Sequence, residues 1–334
     1  MKRVLLALVL LVILAGAGLA YGLYWFAGET FTARGPLEEP VIVEVPKGSG
    51  LARITENLAD AGVIADRDVS KLIFKLKVRE SGKAASLHAG EFQFEPGVSM
   101  AEVTEILASG KVVARFLTVA EGLTSPEVMA LVSKAEALTG AVPDPPPPTG
   151  TLLPETYHYT RGDSRADVVA RMEQSMDKAL EDLWPTRAED LPIDTPEEAV
   201  ILASIVEKET ALASERPRVA AVFVNRLRRG MRLQSDPTVI YGLDPEDGDL
   251  GRPLRKSELE RETAYNTYVI GGLPPGPIAN PGRESLAAVL NPAETDDLYF
   301  VADGTGGHAF AKTLREHNRN VANWRRIERQ RAGE

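Results

Sequence analysis

Two glutamates separated by one residue, Glu207-Lys208-Glu209, close a segment whose helical phase can be read from its start. Thr195-Pro196-Glu197-Glu198 supplies a capping threonine, a proline at the first helical position and a glutamate at the capping-box position. With Leu202 at zero and about 100° per residue, Ile205 falls near ~300°, Val206 near ~40°, Glu209 near ~340° and Glu207 near ~140°. Glu209 therefore continues the apolar stripe, and Glu207 is expected to lie away from it, in solvent. A carboxyl at the end of an apolar stripe is desolvated, which raises its pKa and suits it to general acid work near neutrality. The competing reading is structural, with Glu209 ion-paired to Arg216 or Arg226.

The segments that follow favour a polar, sugar-like ligand. Ser214-Glu215-Arg216, Gln234-Ser-Asp236-Pro-Thr238 and Tyr265-Asn266-Thr267-Tyr268 combine amides, hydroxyls and tyrosines. Such side chains hydrogen-bond sugar hydroxyls and stack on pyranose faces. Each also has a plainer reading: Tyr265 and Tyr268 at i, i+3 as core packing, Asp236-Pro237 as a turn. The chain has no cysteine, so thiolate nucleophiles, disulfides and cysteine-ligated metals are excluded. His308 and His317 lack a ligand partner at recognisable spacing and read as isolated polar residues; no metal and no other cofactor is expected. The formal net charge of −10 argues against nucleic acid as a partner.

The elements that must carry these residues divide the 334-residue chain into an anchor and two further parts. Residues 4–26 hold no charge and are long enough to span a bilayer. Lys2 and Arg3 precede them, and Glu29, Glu38 and Glu39 follow, so the N-terminus is expected in the cytoplasm and the remainder outside. Tyr21, Tyr24 and Trp25 suit an interfacial belt. A cleaved signal peptide is the alternative, with Ala17-Gly-Leu-Ala20 as its cleavage site. After a linker over 28–39, residues 40–118 read β, α, α, β, α, β: a strand at 41–45, helices from Leu51 and around 69–77, a strand at 90–94, a helix opened by the Ser99–Glu102 capping box, and a strand at 112–119. Residues 119–334 read as mainly helical with long loops, broken by the proline run 143–148 and by the Gly- and Pro-rich stretch 242–281; loops of that length usually bind something. The arginines after Lys312 read as a solvated basic face. The fold class expected is α+β.

Several motifs together resemble one family, the endolytic murein transglycosylases of the MltG/YceG-like family. They are Ala203-Ser-Ile-Val-Glu-Lys-Glu209-Thr, Ser214-Glu-Arg216, Val224-Asn225-Arg-Leu227, Met231-Arg-Leu-Gln234-Ser-Asp236-Pro-Thr-Val-Ile-Tyr241-Gly, Ala264-Tyr265-Asn266-Thr-Tyr268, Gly272-Leu-Pro-Pro-Gly276 and Leu298-Tyr-Phe-Val-Ala-Asp303-Gly. The resemblance implies an anchor over 1–27, a small mixed α/β LysM-like module over 40–118 and a lytic transglycosylase domain over 119–334 in the periplasmic or extracytoplasmic space. It implies cleavage of the β-1,4 bond between N-acetylmuramic acid and N-acetylglucosamine within nascent strands, giving 1,6-anhydromuramoyl ends and terminating elongation. It places the catalytic role on Glu209, followed by a hydroxyl residue, Thr210. Substrate contacts are expected from Glu155 and Tyr157 in Leu153-Pro-Glu-Thr-Tyr157, and from Glu215, Arg216, Asn225, Gln234, Asp236, Tyr241, Tyr265, Asn266 and Tyr268. Glycan strands are the implied partner, with membrane peptidoglycan synthases as further candidates. Glu207, Glu215 and Asp236 stand as alternatives for a second carboxyl, which would make the enzyme a hydrolase. A membrane-anchored scaffold that binds peptidoglycan without cutting it is the rival from another class.

Overall fold

A computed structural model describes residues 2–246 and 248–332, and the chain divides into two compact units, residues 1–115 and 116–334. The first opens with α1 (Lys2–Thr32), whose apolar side chains from Val4 to Phe26 are exposed, as suits a helix solvated by lipid. Among the described residues it is the one helix long and apolar enough to cross a membrane. The helix runs past the expected end at residue 27. Ala27 and Phe31 pack on the core of the module that follows, and the Tyr24 hydroxyl donates to Glu80 Oε1 at 3.0 Å with the Lys77 ammonium 4.0 Å above its ring. Residues 28–39 are therefore no free linker: their first turn continues the helix, and the Gly35 N–H bonds the Gly97 carbonyl at 3.2 Å.

In the module β1 (Val41–Val45) pairs antiparallel with β2 (Gly90–Phe94), Val43 opposite Phe92. Their alternation sends Val43, Val45, Phe92 and Phe94 inward onto α2 (Leu51–Asp60), α3 (Asp68–Glu80) and α4 (Met100–Ser109), which add Leu58, Phe74 and Leu107 to one core. The reciprocal Ser99–Glu102 box opens α4, and Gly110, at φ +68°, closes it as only glycine readily does. The strand expected over 112–119 forms only as β3 (Arg115–Thr118), and it pairs with β4 (Thr156–Tyr159) instead of joining the module's sheet. The Thr118 and Thr156 hydroxyls bond at 3.0 Å, and the Val119 N–H donates to the Glu155 carbonyl, so β4 satisfies this part of the segment, while the earlier Val113 N–H donates to the Glu91 carbonyl.

Two cores build the second unit. One joins β3 and β4 to α5 (Ser125–Lys134) and α6 (Arg165–Leu183) through Leu117, Val128, Tyr157, Val168 and Met172. The other centres on α7 (Pro196–Glu209), packed by α8 (Arg216–Arg228) and, after α9 (Asp236–Leu243) and α10 (Lys256–Leu259), by α11 (Arg283–Leu290). The hairpin of β5 (Tyr299–Ala302) and β6 (His308–Ala311) then leads to α12 (Leu314–Ala332). Among the described residues all sheets are two-stranded and separate, and the fold is mixed α+β with long irregular stretches, as the sequence indicated.

Candidate active site

Thr195 caps α7 by accepting from the Glu198 N–H at 3.2 Å, while the Glu198 carboxylate takes the Asp194 N–H at 2.6 Å. The helix is not the one-sided stripe its periodicity suggested. Leu202, Ala203, Ser204, Ile205 and Val206 are buried in succession, because neighbours surround it on several sides. The expectation that Glu207 is solvated is therefore wrong: its side chain is 4% exposed. It accepts from the Gly282 N–H at 2.8 Å and pairs with Arg216 Nη2 at 3.3 Å. The same guanidinium holds Glu121 at 2.7 Å and Glu284 at 2.5 Å. Burial, followed by the charge of Glu207, raises the pKa of Glu121. The structural ion pair considered for Glu209 thus exists, but Glu207 makes it.

Glu209 leaves the helix in a different direction and forms no ion pair among the described residues. The residue is half-buried and borders a cleft. Burial pushes its pKa up to about 7, with the charge of Asp236 adding to the rise; the Ser235 hydrogen bond and the more distant His308 and Arg226 oppose it. A neutral carboxyl is available there at physiological pH, and a carboxylate is within easy reach.

The hydroxyl partner is Ser235, not Thr210. Ser235 Oγ donates to Glu209 Oε1 at 2.5 Å, whereas Thr210 Oγ1 turns back to accept the Leu212 N–H. Ser235 occupies the N-cap position of α9 yet makes no side-chain cap, forgoing a bond typically worth about 1 kcal/mol. Its backbone is fixed instead. Ser235 N–H donates to Thr267 Oγ1 at 3.0 Å, Thr238 Oγ1 donates to the Ser235 carbonyl at 2.6 Å, and the two threonine hydroxyls bond each other at 2.8 Å. The preceding Gln234 has φ +51°, a left-handed conformation that costs a non-glycine residue roughly 1 kcal/mol or more. A forfeited cap and a strained backbone converge on one hydroxyl aimed at Glu209.

The cleft has a volume of about 500 Å³. Glu209, Gln234, Asp236 and Tyr268 border it together with Phe223 and Arg226 of α8, Tyr299 and Phe300 of β5, and Leu314 and His317 of α12. Tyr268 donates its hydroxyl to Asp236 Oδ1 at 2.6 Å, and burial raises the phenol's pKa further above its ordinary value. Aromatic faces beside hydroxyl, amide and carboxyl groups make a surface suited to a carbohydrate. Among the described residues no cluster of His, Asp and Glu gathers as a metal site: His308 is bound to Glu215 and His317 stacks on Tyr299.

A family model described as the YceG-like family matches residues 43–323, most of the chain. The chain belongs to the YceG-like family. It is 31% identical to a protein of Bacillus subtilis (strain 168) named endolytic murein transglycosylase, over 84% of this chain and 83% of that one. A protein of the same name from Streptococcus pneumoniae (serotype 2, strain D39) is 27% identical over 96% of this chain, which spans 65% of that longer relative. A crystal structure of a yceG-like protein from Listeria monocytogenes shares the fold with a TM-score of 0.50 and 30% identity, covering 84% of this chain and 99% of that one.

In this YceG-like chain the other expected site residues lie outside the lining of that cleft and make contacts within the protein. Glu215 holds His308 through its backbone N–H at 2.9 Å and ring Nδ1 at 2.6 Å, tying α8 to β6. Arg216 is consumed by its three carboxylates. Asn225 donates to the carbonyls of Thr295 and Asp297, and the buried Asn266 to those of Leu259 and Arg261. Tyr241 and Tyr265 pack edge to face, 4.9 Å between ring centres. Tyr157 is buried with its hydroxyl on the Leu153 carbonyl, and with the exposed Glu155 it borders a separate surface hollow near Arg171. Sequence reasoning missed Ser235 as the partner of Glu209, although serine immediately before an Asp-Pro helix start is a capping signal whose diversion could be asked about. It also missed the cleft positions of Phe223, Arg226, Tyr299, Phe300 and His317, for which helical and strand periodicity give no sign.

Proposed function

We propose that this chain is a peptidoglycan lytic transglycosylase that cuts within glycan strands at the β-1,4 bond between N-acetylmuramic acid and N-acetylglucosamine, with Glu209 as both acid and base. The neutral carboxyl donates its proton to the glycosidic oxygen as the bond from muramoyl C1 to that oxygen breaks. The resulting carboxylate takes the proton of the muramoyl C6 hydroxyl, whose oxygen bonds C1 and closes a 1,6-anhydro ring. Glu209 ends protonated as it began, and no water is consumed. A pKa near 7 suits both halves of the cycle, since neither protonation state is costly to reach. Ser235 donates to the carboxyl throughout and steadies the anion between the steps.

The observation that carries this reading is a half-buried carboxyl that takes a serine hydroxyl, forms no ion pair among the described residues and borders a cleft lined by aromatic and polar groups. The names of the Bacillus and Streptococcus relatives support it. In this reading α1 anchors the chain in the cytoplasmic membrane with the second unit outside, residues 40–118 orient the strand, and cleavage of nascent strands ends their elongation. Digestion of purified sacculi with the full chain, followed by mass spectrometry of the fragment ends, tests it. Muramoyl ends lighter than reducing ends by one water are expected. Reducing ends alone would point to hydrolysis, with Asp236 as the cleft's second carboxyl activating water. Intact strands that bind the protein would point to the scaffold.

A further inference from the structure

Arg226 and Arg216 lie on the same helix and are treated in opposite ways. Arg216 is surrounded by three carboxylates, whereas Arg226, 8% exposed, has none. Its Nε donates to the Leu298 carbonyl at 2.7 Å and its Nη1 to the Leu233 carbonyl at 2.5 Å. These use Nε and Nη1, no acceptor is recorded for Nη2 among the described residues, and the residue borders the cleft. The guanidinium lies 5.3 Å from the centre of the Tyr299 ring, and the His317 ring stacks on that tyrosine at 5.1 Å. His317 brings a second unsatisfied group: its Nδ1 is buried and makes no hydrogen bond.

A buried cation held by neutral carbonyls, with no carboxylate in ion-pair contact, is only partly compensated for its lost hydration. Here it stands at the edge of a cleft in a chain of net charge −10, where repulsion would otherwise disfavour an anionic ligand. The guanidinium offers a planar donor to whatever enters, the geometry that matches a carboxylate. A murein strand carries that group on one of its two sugars only. N-acetylglucosamine is uncharged, while the muramoyl sugar bears a lactyl group whose carboxyl is either free or extended into an acidic stem peptide.

We propose that Arg226, with Tyr299 and His317, forms a carboxylate subsite that recognises the muramoyl side of the strand. The inference rests on the murein reading of the cleft and deepens it: the subsite sets which sugar lies on which side of Glu209. Neutral chitin oligosaccharides, which share the backbone, lack the group it reads.

The test is calorimetric binding at pH 7 to the full-length Glu209→Gln chain in detergent, which holds substrate without cutting it. Four tetrasaccharides are compared: chitotetraose, a peptide-free murein tetrasaccharide, the same sugar with its lactyl carboxyls converted to methylamides, and one bearing stem peptides. At least one carboxylate-bearing sugar should bind about tenfold or more tightly than chitotetraose, a factor expected for one charge-assisted contact. A preference for the peptide-free sugar that the methylamide abolishes assigns the lactyl carboxylate; tight binding only of the peptide-bearing sugar assigns a stem carboxylate. Arg226→Gln should erase the preference, bringing the carboxylate-bearing sugar to the affinity of chitotetraose for the same variant. Arg226 also ties two backbone carbonyls, so if that variant does not fold the comparison among sugars decides. Equal affinity for all four sugars overturns the subsite, and does so alone if the wild-type chain cuts sacculi to anhydro ends. Binding of none of them, with no cutting of sacculi, overturns the subsite and the murein reading together.

Discussion

Glu207 and Glu209 sit two residues apart on one helix, one with a buried side chain and the other half-buried at a cleft, and their surroundings differ. Glu207 faces α8 and the turn before α11, where a guanidinium and a backbone N–H meet its charge. Glu209 faces the cleft, where a single serine hydroxyl meets it and the nearest carboxylate, Asp236, repels its charge. Burial alone therefore does not make a reactive acid. The first site spends its carboxyl on holding three helices and a loop together; the second withholds compensation, so the proton stays on near neutrality.

The largest break in this comparison is Glu209→Gln. Cleavage of sacculi should fall by roughly three orders of magnitude, the scale of general acid–base catalysis. Stability should move the other way. The folded chain holds the Glu209 proton up to about pH 7, whereas the unfolded chain releases it near the ordinary glutamate value of 4.5. Stability from this group is therefore complete below the lower value and is lost as pH rises through the upper one, by up to about 3 kcal/mol. Glutamine escapes that loss. Denaturant unfolding should show Glu209→Gln more stable than wild type at pH 8 and equal to it at pH 4.

Arg216→Met attacks the other side. It strands the buried Glu207 beside Glu121 and should cost about 3–5 kcal/mol in the same unfolding assay, the price of breaking a buried pair from one end. Ser235→Ala is milder and more specific. Its hydroxyl favours the ionised carboxyl, so removing it raises the pKa of Glu209 further and should move the alkaline limb of the pH–rate profile upward by about one unit. Ser235→Thr should restore the limb, which a merely structural defect would not allow. The smallest change is Glu207→Gln, which keeps a hydrogen-bond acceptor for Gly282 and leaves Arg216 two carboxylates. It should lose about 1–2 kcal/mol of stability and only a few-fold in turnover.

Local signals in the sequence were read well because the structure uses them locally. Thr195 and Ser99 each accept the N–H three residues on, and β1 and β2 form where β-branched and aromatic residues alternate. Periodicity separated the directions of Glu207 and Glu209 by about 160° of helix rotation. It failed on the burial of Glu207, because α7 is packed on most sides and keeps only a narrow exposed face at Glu197 and Lys208, and only the distant Arg216 and Gly282 explain the carboxyl. The cleft itself was hidden for the same reason. Ser235, Arg226, Tyr299 and His317 come from four separate elements, and their meeting is a property of tertiary packing. Glu155 and Tyr157 show the converse: a motif matched in sequence that borders another hollow.

The most direct measurement is a pH titration by carbon NMR of the full chain labelled at glutamate side-chain carboxyls. A resonance with a midpoint near pH 7 is expected in wild type and in Glu207→Gln, and it should vanish in Glu209→Gln. Its midpoint should rise in Ser235→Ala. A resonance near pH 7 that survives Glu209→Gln, or a wild-type chain in which no glutamate titrates above pH 6, would contradict the account of Glu209 as the uncompensated acid.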